Sequence, residues 1–505
     1  MSLISIEFFA LVGITFIFYW IISSRFRWVV LLISSAAFVW LANGHSKRAV
    51  VMMYGMIIIA YIAGVLFEKT SEKIKRAIFV ISLIIEAVLL IRMKDFGFFT
   101  RMFGREPSEV TSVILIAPLG VSYFTLSLIG YICDTYWCVQ QVEKNPFKFM
   151  LFGSYFPLLT SGPIVKYSEI GTTIFEEKTF SYKKMCFGAQ RILWGVFKKL
   201  VISERVTVLV NTIYGNPEQY PGLYVWIAVA LFVLQLYTDF SGCIDIIMGV
   251  SELFGVDLPE NFNLPFTSTT LAEFWRRWHI TLGNWLKDYV FYPVLKSEAF
   301  VKLGEVSKKA FGKKKGKKVP TYLGLFITWF LIGFWHGGSW NYIVGVGLWM
   351  WFIIVLSDLL SPALKKLTEL MKINTECFSW HLFQYIRTFL LFMVGNGLFR
   401  ASSLKDGIYM YKMGLSVPNI WILFDQSFLN LGLSAVDLNI LFMSVLLILI
   451  AGIIRERKGV GVRVWMSEQN LVFRWIVWLG LFVIVLIYGK YGPGYSAAEF
   501  IYKGF

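Results

Sequence analysis

Gly222-Leu223-Tyr224-Val225-Trp226-Ile227-Ala228-Val229-Ala230-Leu231-Phe232-Val233-Leu234-Gln235-Leu236-Tyr237-Thr238-Asp239-Phe240-Ser241-Gly242-Cys243-Ile244-Asp245-Ile246-Ile247-Met248-Gly249 decides the fold class. The run is apolar or aromatic from Leu223 to Leu234, and only then admits Gln235, Asp239, Ser241 and Asp245. A helix needs about 20 apolar residues to cross a hydrocarbon core ~30 Å thick, and this run exceeds that length. Polar groups at such depth are expensive, so each marks a candidate site. The expectation is a membrane-spanning helix whose second half faces protein or a cavity.

Working outward, similar stretches occupy residues 6–22, 27–42, 49–67, 77–92, 112–132, 186–202, 321–336, 341–360, 383–400, 437–454 and 473–489. Two more, 147–165 and 265–293, are apolar but interrupted by Pro, Gly or charge. Broken helices at membrane depth are tolerated only inside protein or along a cavity, so these are expected to be re-entrant. The chain is 57% hydrophobic and 16% charged. A soluble domain is nearer one quarter charged, which excludes a disordered chain and a single soluble globule. The predicted fold is all-α: one polytopic membrane domain over 1–505 with about eleven or twelve spans and re-entrant segments. The first stretch carries Glu7 and has no positive segment before it, so it reads as a retained span rather than a cleaved signal.

The net charge of +16 needs a location. Nine Lys against two acids fall in 296–320. By the positive-inside rule that loop is cytoplasmic. Gly337–Trp340 is then outside, 361–382 inside, 401–436 outside, and 455–474, with Arg455, Arg457, Lys458, Arg463 and Arg474, inside. The Lys run reads first as a disordered, topology-setting loop and second as a docking field for an anionic partner. It has little aromatic interleaving, which argues against nucleic acid. The five Cys form no CxxC pair and read as free, mostly buried thiols with no metal site. HExxH, GxxxxGK[ST], GxSxG and GxGxxG are all missing from the sequence.

Of four His, His45 and His381 sit beside charged residues and read as surface loop positions. His279 lies in Glu273-Phe274-Trp275-Arg276-Arg277-Trp278-His279-Ile280-Thr281-Leu282-Gly283-Asn284-Trp285-Leu286-Lys287-Asp288-Tyr289. At helical period Trp275, Trp278, His279, Leu282, Trp285, Leu286 and Tyr289 share one face, which predicts one amphipathic helix. Arg277 and Lys287 on the other face can reach headgroups or an anionic ligand. The spacing alone favours a buried His bonded to a neighbour. His336 closes a span in Phe334-Trp335-His336-Gly337-Gly338-Ser339-Trp340-Asn341. Flanking glycines permit close approach of a substrate. An imidazole there can take a proton from a hydroxyl, or be a packed core residue. Asp239 and Asp245 demand partners, which Arg276 or Arg277 can supply as a buried ion pair. Otherwise they line a wet cavity. Pro118-Leu119-Gly120 and Ser161-Gly162-Pro163 read as helix breaks.

Both histidine stretches together resemble the hallmark motifs of the membrane-bound O-acyltransferase (MBOAT) family. Pro118-Leu119-Gly120-Val121-Ser122-Tyr123-Phe124-Thr125, Ser161-Gly162-Pro163-Ile164, Trp194-Gly195-Val196-Phe197-Lys198-Lys199, Asp239-Phe240-Ser241-Gly242 and Phe399-Arg400-Ala401 fit in order. Length and spacing are most similar to the branch that O-acetylates alginate and peptidoglycan. The branch that D-alanylates teichoic acid is shorter. The Lys-rich 296–320 is longer and more basic than the family pattern.

The resemblance implies a multi-pass protein of the cell membrane with a central tunnel narrowing at the histidine. It implies an O-acyltransferase that moves an acyl group, foremost acetyl, from a cytoplasmic thioester to an extracytoplasmic hydroxyl. The donor is acetyl-CoA or an acyl carrier thioester, with no resident cofactor or metal. Partners are membrane lipid, the donor on the cytoplasmic side, a polysaccharide acceptor and an extracytoplasmic acetyltransferase. His336 and His279 are the implied catalytic pair. Trp275, Arg276, Arg277, Trp278, Asn284, Asp288, Asp239, Ser241, Ser339, Trp340 and Asn341 are the implied substrate-binding set. Two alternatives stand beside this. One is D-alanyl transfer from a carrier protein to teichoic acid. The other is a polysaccharide or lipid-precursor transporter, which the many spans would suit but which lacks a visible two-fold repeat.

Overall fold

The computed structural model describes residues 1–94, 117–492 and 500. It is all-helical, with one isolated antiparallel bridge, Phe262 to Trp278, among the described residues. Among the described residues, eight helices are long and apolar enough to cross a membrane: Ser24–Ala42, Lys47–Lys69, Leu223–Leu253, Lys318–Trp335, Trp340–Leu370, Phe378–Arg400, Ala435–Lys458 and Leu471–Tyr488. Ile6–Ile21 is apolar but shorter. Three other expected spans take a different form. Glu72–Lys94 carries charge at both ends, and Val121–Tyr136 and Tyr182–Phe197 are 16 residues each. Residues 112–116 of the expected 112–132 span lie outside the described residues.

Leu223–Leu253 is the central post. Its 31 residues and long apolar run give it more length than one crossing needs. Tyr182–Phe197 lies against it backbone to backbone. A Cβ on Gly195 would sit 2.5 Å from the Gly242 carbonyl oxygen, and one on Gly242 would sit 2.9 Å from that of Gly195. Small residues at such a seam let membrane helices approach closely, where dispersion contacts replace the missing hydrophobic drive. The seam brings Lys198 and Lys199, in a π-helical turn over Lys198–Ser203, alongside Asp239 and Asp245.

The 147–165 stretch starts as the helix Pro146–Ser154, capped by Asn145, and then leaves helical geometry while staying buried through Val165. Gly120 explains the close fit of this segment. Its φ is +73°, and a Cβ there would overlap the Leu159 carbonyl at 1.5 Å. The Pro118-Leu119-Gly120 break thus packs on Leu159, two residues before the Ser161-Gly162-Pro163 break.

Three readings are corrected. The Lys-rich 296–320 is not a disordered loop. It holds the helix Glu298–Gly316, entered from Ser297, with non-helical backbone at Gly312. Its lysines are spread over an exposed face. His381 is not in a loop but in the first turn of Phe378–Arg400, half-buried, with its Nδ1 3.0 Å from the Cys377 carbonyl. Of the cysteines, only Cys133 and Cys243 are buried, and Cys138 is exposed. All five are free.

Candidate functional site

The expected single helix over 273–289 is broken. Leu271–Arg277 ends at Trp278, which is extended, and Ile280–Leu286 begins after His279, which has φ 46° and ψ 50°. Histidine is one of the few non-glycine side chains enriched in this left-handed region. The freed backbone groups are satisfied by the segment 261–263. Asn263 N–H donates to the Arg277 carbonyl at 2.9 Å, and Ile280 N–H donates to that of Asn261 at 3.1 Å. The break turns His279 inward, where it is 2% exposed.

His336 ends Lys318–Trp335 and is also 2% exposed. The two imidazoles meet one side chain. The Trp335 indole centroid is 4.9 Å from the His336 ring and 6.2 Å from the His279 ring. Tyr123 packs edge-on to the same indole at 5.6 Å, and Phe399 flanks His336 at 5.6 Å. Phe240 flanks His279 at 4.8 Å. Lys94 Nζ donates to the Trp335 carbonyl at 2.8 Å and lies 5.0 Å from its ring. Trp335 Nε1 is buried with no hydrogen-bond partner among the described residues. The result is a buried aromatic chamber that brings together two imidazoles and an indole donor.

The other expected residues separate into distinct places. Trp275 is half-buried against Trp329 at 4.9 Å and Phe392 at 5.9 Å, and its Nε1 is likewise buried without a partner among the described residues. Trp278 is core, stacked on Phe274 at 5.5 Å and edge-on to Phe262 at 5.0 Å. Arg276 and Asn284 are exposed. Arg277 pairs with Glu273 at 2.6 Å, and Asp288 pairs with Lys166 at 2.7 Å. Asn341 is buried and donates to the Ala401 carbonyl at 2.7 Å, while Ser339 bonds Asn341 at 2.5 Å, so both hold the turn after His336. Trp340 is 53% exposed. The space beside Gly337 is taken by the Tyr342 ring, 2.5 Å from where a Cβ would be, so that glycine serves the chain's own packing.

Asp239 and Asp245 do form buried ion pairs, but not with Arg276 or Arg277. Lys199 bridges Asp239 at 2.7 Å and Glu204 at 2.8 Å. Lys198 binds Asp245 at 2.6 Å and Ser241 at 2.8 Å. Arg191 joins Asp245, Glu252 and Glu260 at 2.9, 3.2 and 2.7 Å. This layer borders a cavity of about 680 Å³ whose walls include Trp194, Tyr237, Phe262, Leu447 and Ile484. Neither histidine lines it. Among the described residues no group of three or more His, Cys, Asp or Glu is placed to hold a metal.

Sequence reasoning found the two histidines but missed Lys94, Asn261 and Arg191 as structural partners. Tyr123, Phe399, Lys198 and Lys199 lay within motifs already singled out, without an assigned role. A cation in an apolar segment was the available signal for Lys94 and Lys198.

Residues 139–307 match the MBOAT, membrane-bound O-acyltransferase family. The chain is 31% identical over 310 residues to the "Probable alginate O-acetylase AlgI" of Pseudomonas syringae pv. tomato, covering 61% of this chain and 53% of that protein. It is 29% identical to the peptidoglycan O-acetyltransferase of Helicobacter pylori, covering 58% of each. It is 28% identical to the teichoic acid D-alanyltransferase of Bacillus subtilis, covering 46% of this chain and 56% of that protein. The chain thus spans little more than half the length of these relatives.

Proposed function

We propose that this multi-pass membrane protein, whose residues 139–307 match the membrane-bound O-acyltransferase family, is an O-acyltransferase with His336 and His279 at its centre. The acyl group, foremost acetyl, comes from a thioester on the cytoplasmic side, as acetyl-CoA or a carrier thioester. It goes to a hydroxyl of an extracytoplasmic polysaccharide or of a partner acetyltransferase in the cell membrane. The observation that carries this is the meeting of both imidazoles on the buried Trp335 indole.

His336 takes the proton of the acceptor hydroxyl as its oxygen attacks the thioester carbonyl carbon. The C–S bond breaks, and the departing sulfur receives that proton as a thiol. Trp335 Nε1 is a donor for the carbonyl oxygen as charge develops on it. The aromatic walls exclude water, which limits hydrolysis and strengthens these bonds. Lys198, Lys199 and Arg191 keep the post and the seam in register and take no part in the chemistry. On this reading Asp239 and Ser241 are scaffold rather than substrate contacts. The Lys-rich helix Glu298–Gly316 marks the cytoplasmic face and offers a positive field to an anionic donor.

The test is free-thiol release by purified protein given acetyl-CoA together with an extract of cell-wall polymers. Release that needs both donor and acceptor supports transfer, whereas a transporter releases none. Mass spectrometry of polymers from a deletion strain separates the donors. Loss of acetyl supports the first reading, and loss of alanine would replace it with D-alanyl transfer.

A further inference from the structure

The segment 261–263 does more than cover the break at His279. Asn261 is fully buried, and its side-chain oxygen is the hub of three contacts. It lies 3.1 Å from the Thr281 backbone nitrogen, 2.9 Å from Thr281 Oγ1 and 3.3 Å from His279 Nδ1. Thr281 Oγ1 in turn receives the Ile164 N–H at 3.1 Å.

Elementary donor and acceptor chemistry orients this chain in one direction. A backbone N–H only donates, so the Asn261 atom facing Thr281 N is the oxygen and not the NH₂. The reverse orientation would set two donors against each other. Ile164 N–H also only donates, so it takes a lone pair of the Thr281 hydroxyl and leaves that hydroxyl's proton for Asn261. The atom presented to His279 Nδ1 is therefore an acceptor, and Nδ1 must carry a hydrogen. In the neutral ring the lone pair then belongs to Nε2.

We propose that Asn261 is the positioning residue of His279, fixing it as the Nδ1–H tautomer with Nε2 as its basic nitrogen. This rests on the O-acyltransferase reading and divides its labour. A neutral His279 in that tautomer accepts a hydrogen bond through Nε2, so it orients the acceptor hydroxyl. It cannot polarise the thioester carbonyl, which falls to donors such as Trp335 Nε1. The relay Ile164–Thr281–Asn261–His279 also ties the buried Ser161-Gly162-Pro163-Ile164 segment to the chamber, although the two are far apart in sequence.

Because the chain has only four histidines, ¹⁵N-histidine labelling of the full-length protein resolves the tautomer directly. The His279 signals are assigned by their loss in His279→Gln. The expected spectrum shows a protonated Nδ1 and an unprotonated Nε2 for neutral His279, retained in Asn261→Asp, which keeps an oxygen at the hub. Thr281→Val, which leaves the Asn261–His279 contact in place, should keep the same tautomer. Asn261→Leu should shift the ring toward the Nε2–H form. It should also lower kcat for thiol release about tenfold, roughly the worth of one hydrogen bond, with KM for acetyl-CoA unchanged. Asn261→Asp should restore most of that loss. An Nε2–H ring in the wild-type protein would overturn the assignment, whether or not Asn261→Leu folds. An unchanged tautomer in a folded Asn261→Leu would do the same. The spectrum needs no acyl transfer, so absent thiol release would contradict the proposed function while leaving the tautomer result intact.

Discussion

The ion layer on Leu223–Leu253 and the chamber around Trp335 are both polar and both buried, yet they are made of different chemistry. The layer uses full charges: Lys199 with Asp239 and Glu204, and Lys198 and Arg191 with Asp245. The chamber uses imidazoles, an indole and an amide, with aromatic rings at their edges, and the cation beside it, Lys94, donates to the Trp335 carbonyl. One helix serves both, since Asp239 and Ser241 reach the lysines while Phe240 between them packs on His279. Full charges at this depth are stable only when they neutralise one another, which leaves them unsuited to receive a substrate. Neutral groups held by packing can meet a substrate without first losing a charged partner. The difference assigns structure to the layer and chemistry to the chamber.

Substitutions can break that division, beginning with the largest effect. Lys199→Met leaves Asp239 and Glu204 buried without their cation and should cost about 3–5 kcal/mol, read as lost thermal stability in detergent. The double change Lys199→Met with Asp239→Leu should recover part of that loss, with Glu204 still buried and charged. Failure of any recovery would mean the pair does more than balance charge. Next is the seam that aligns the layer. Gly195→Leu must push the two helices apart and should cost about 1–3 kcal/mol, seen as a lower thermal midpoint with parallel loss of thiol release. The smallest effect belongs to the half-exposed pairs. Asp288→Asn, which removes the Lys166 contact, should change stability by about 0.2–1 kcal/mol and leave transfer rates within a few-fold. A large rate loss there would return Asp288 to the substrate path.

Much of this was legible in the sequence. The apolar runs announced the bundle, and the two tryptophan-flanked histidines announced the chamber. The break at His279 was not, because Trp275, Trp278, Leu282 and Trp285 satisfy helical period whether or not the helix is continuous. What decides is Asn261–Asn263, whose backbone pairs with Arg277 and Ile280 only after folding. The partners of Asp239 and Asp245 were missed for a similar reason. Arg276 and Arg277 are nearer in sequence, but the glycine seam delivers Lys198 and Lys199 instead. The spacing Gly188–Gly195 against Gly242–Gly249 was a readable sign of that seam. The helix over the Lys run was hidden by its charge density, although Ser297 and Glu298 at its start are ordinary helix-entry residues.

The central claim is that the chamber, not the layer, carries the reaction, and His336→Ala measures it most directly. Purified His336→Ala should keep the wild-type thermal midpoint while acceptor-dependent thiol release from acetyl-CoA falls by about 10²–10⁴-fold. Release near the wild-type rate from a folded His336→Ala protein would contradict the account.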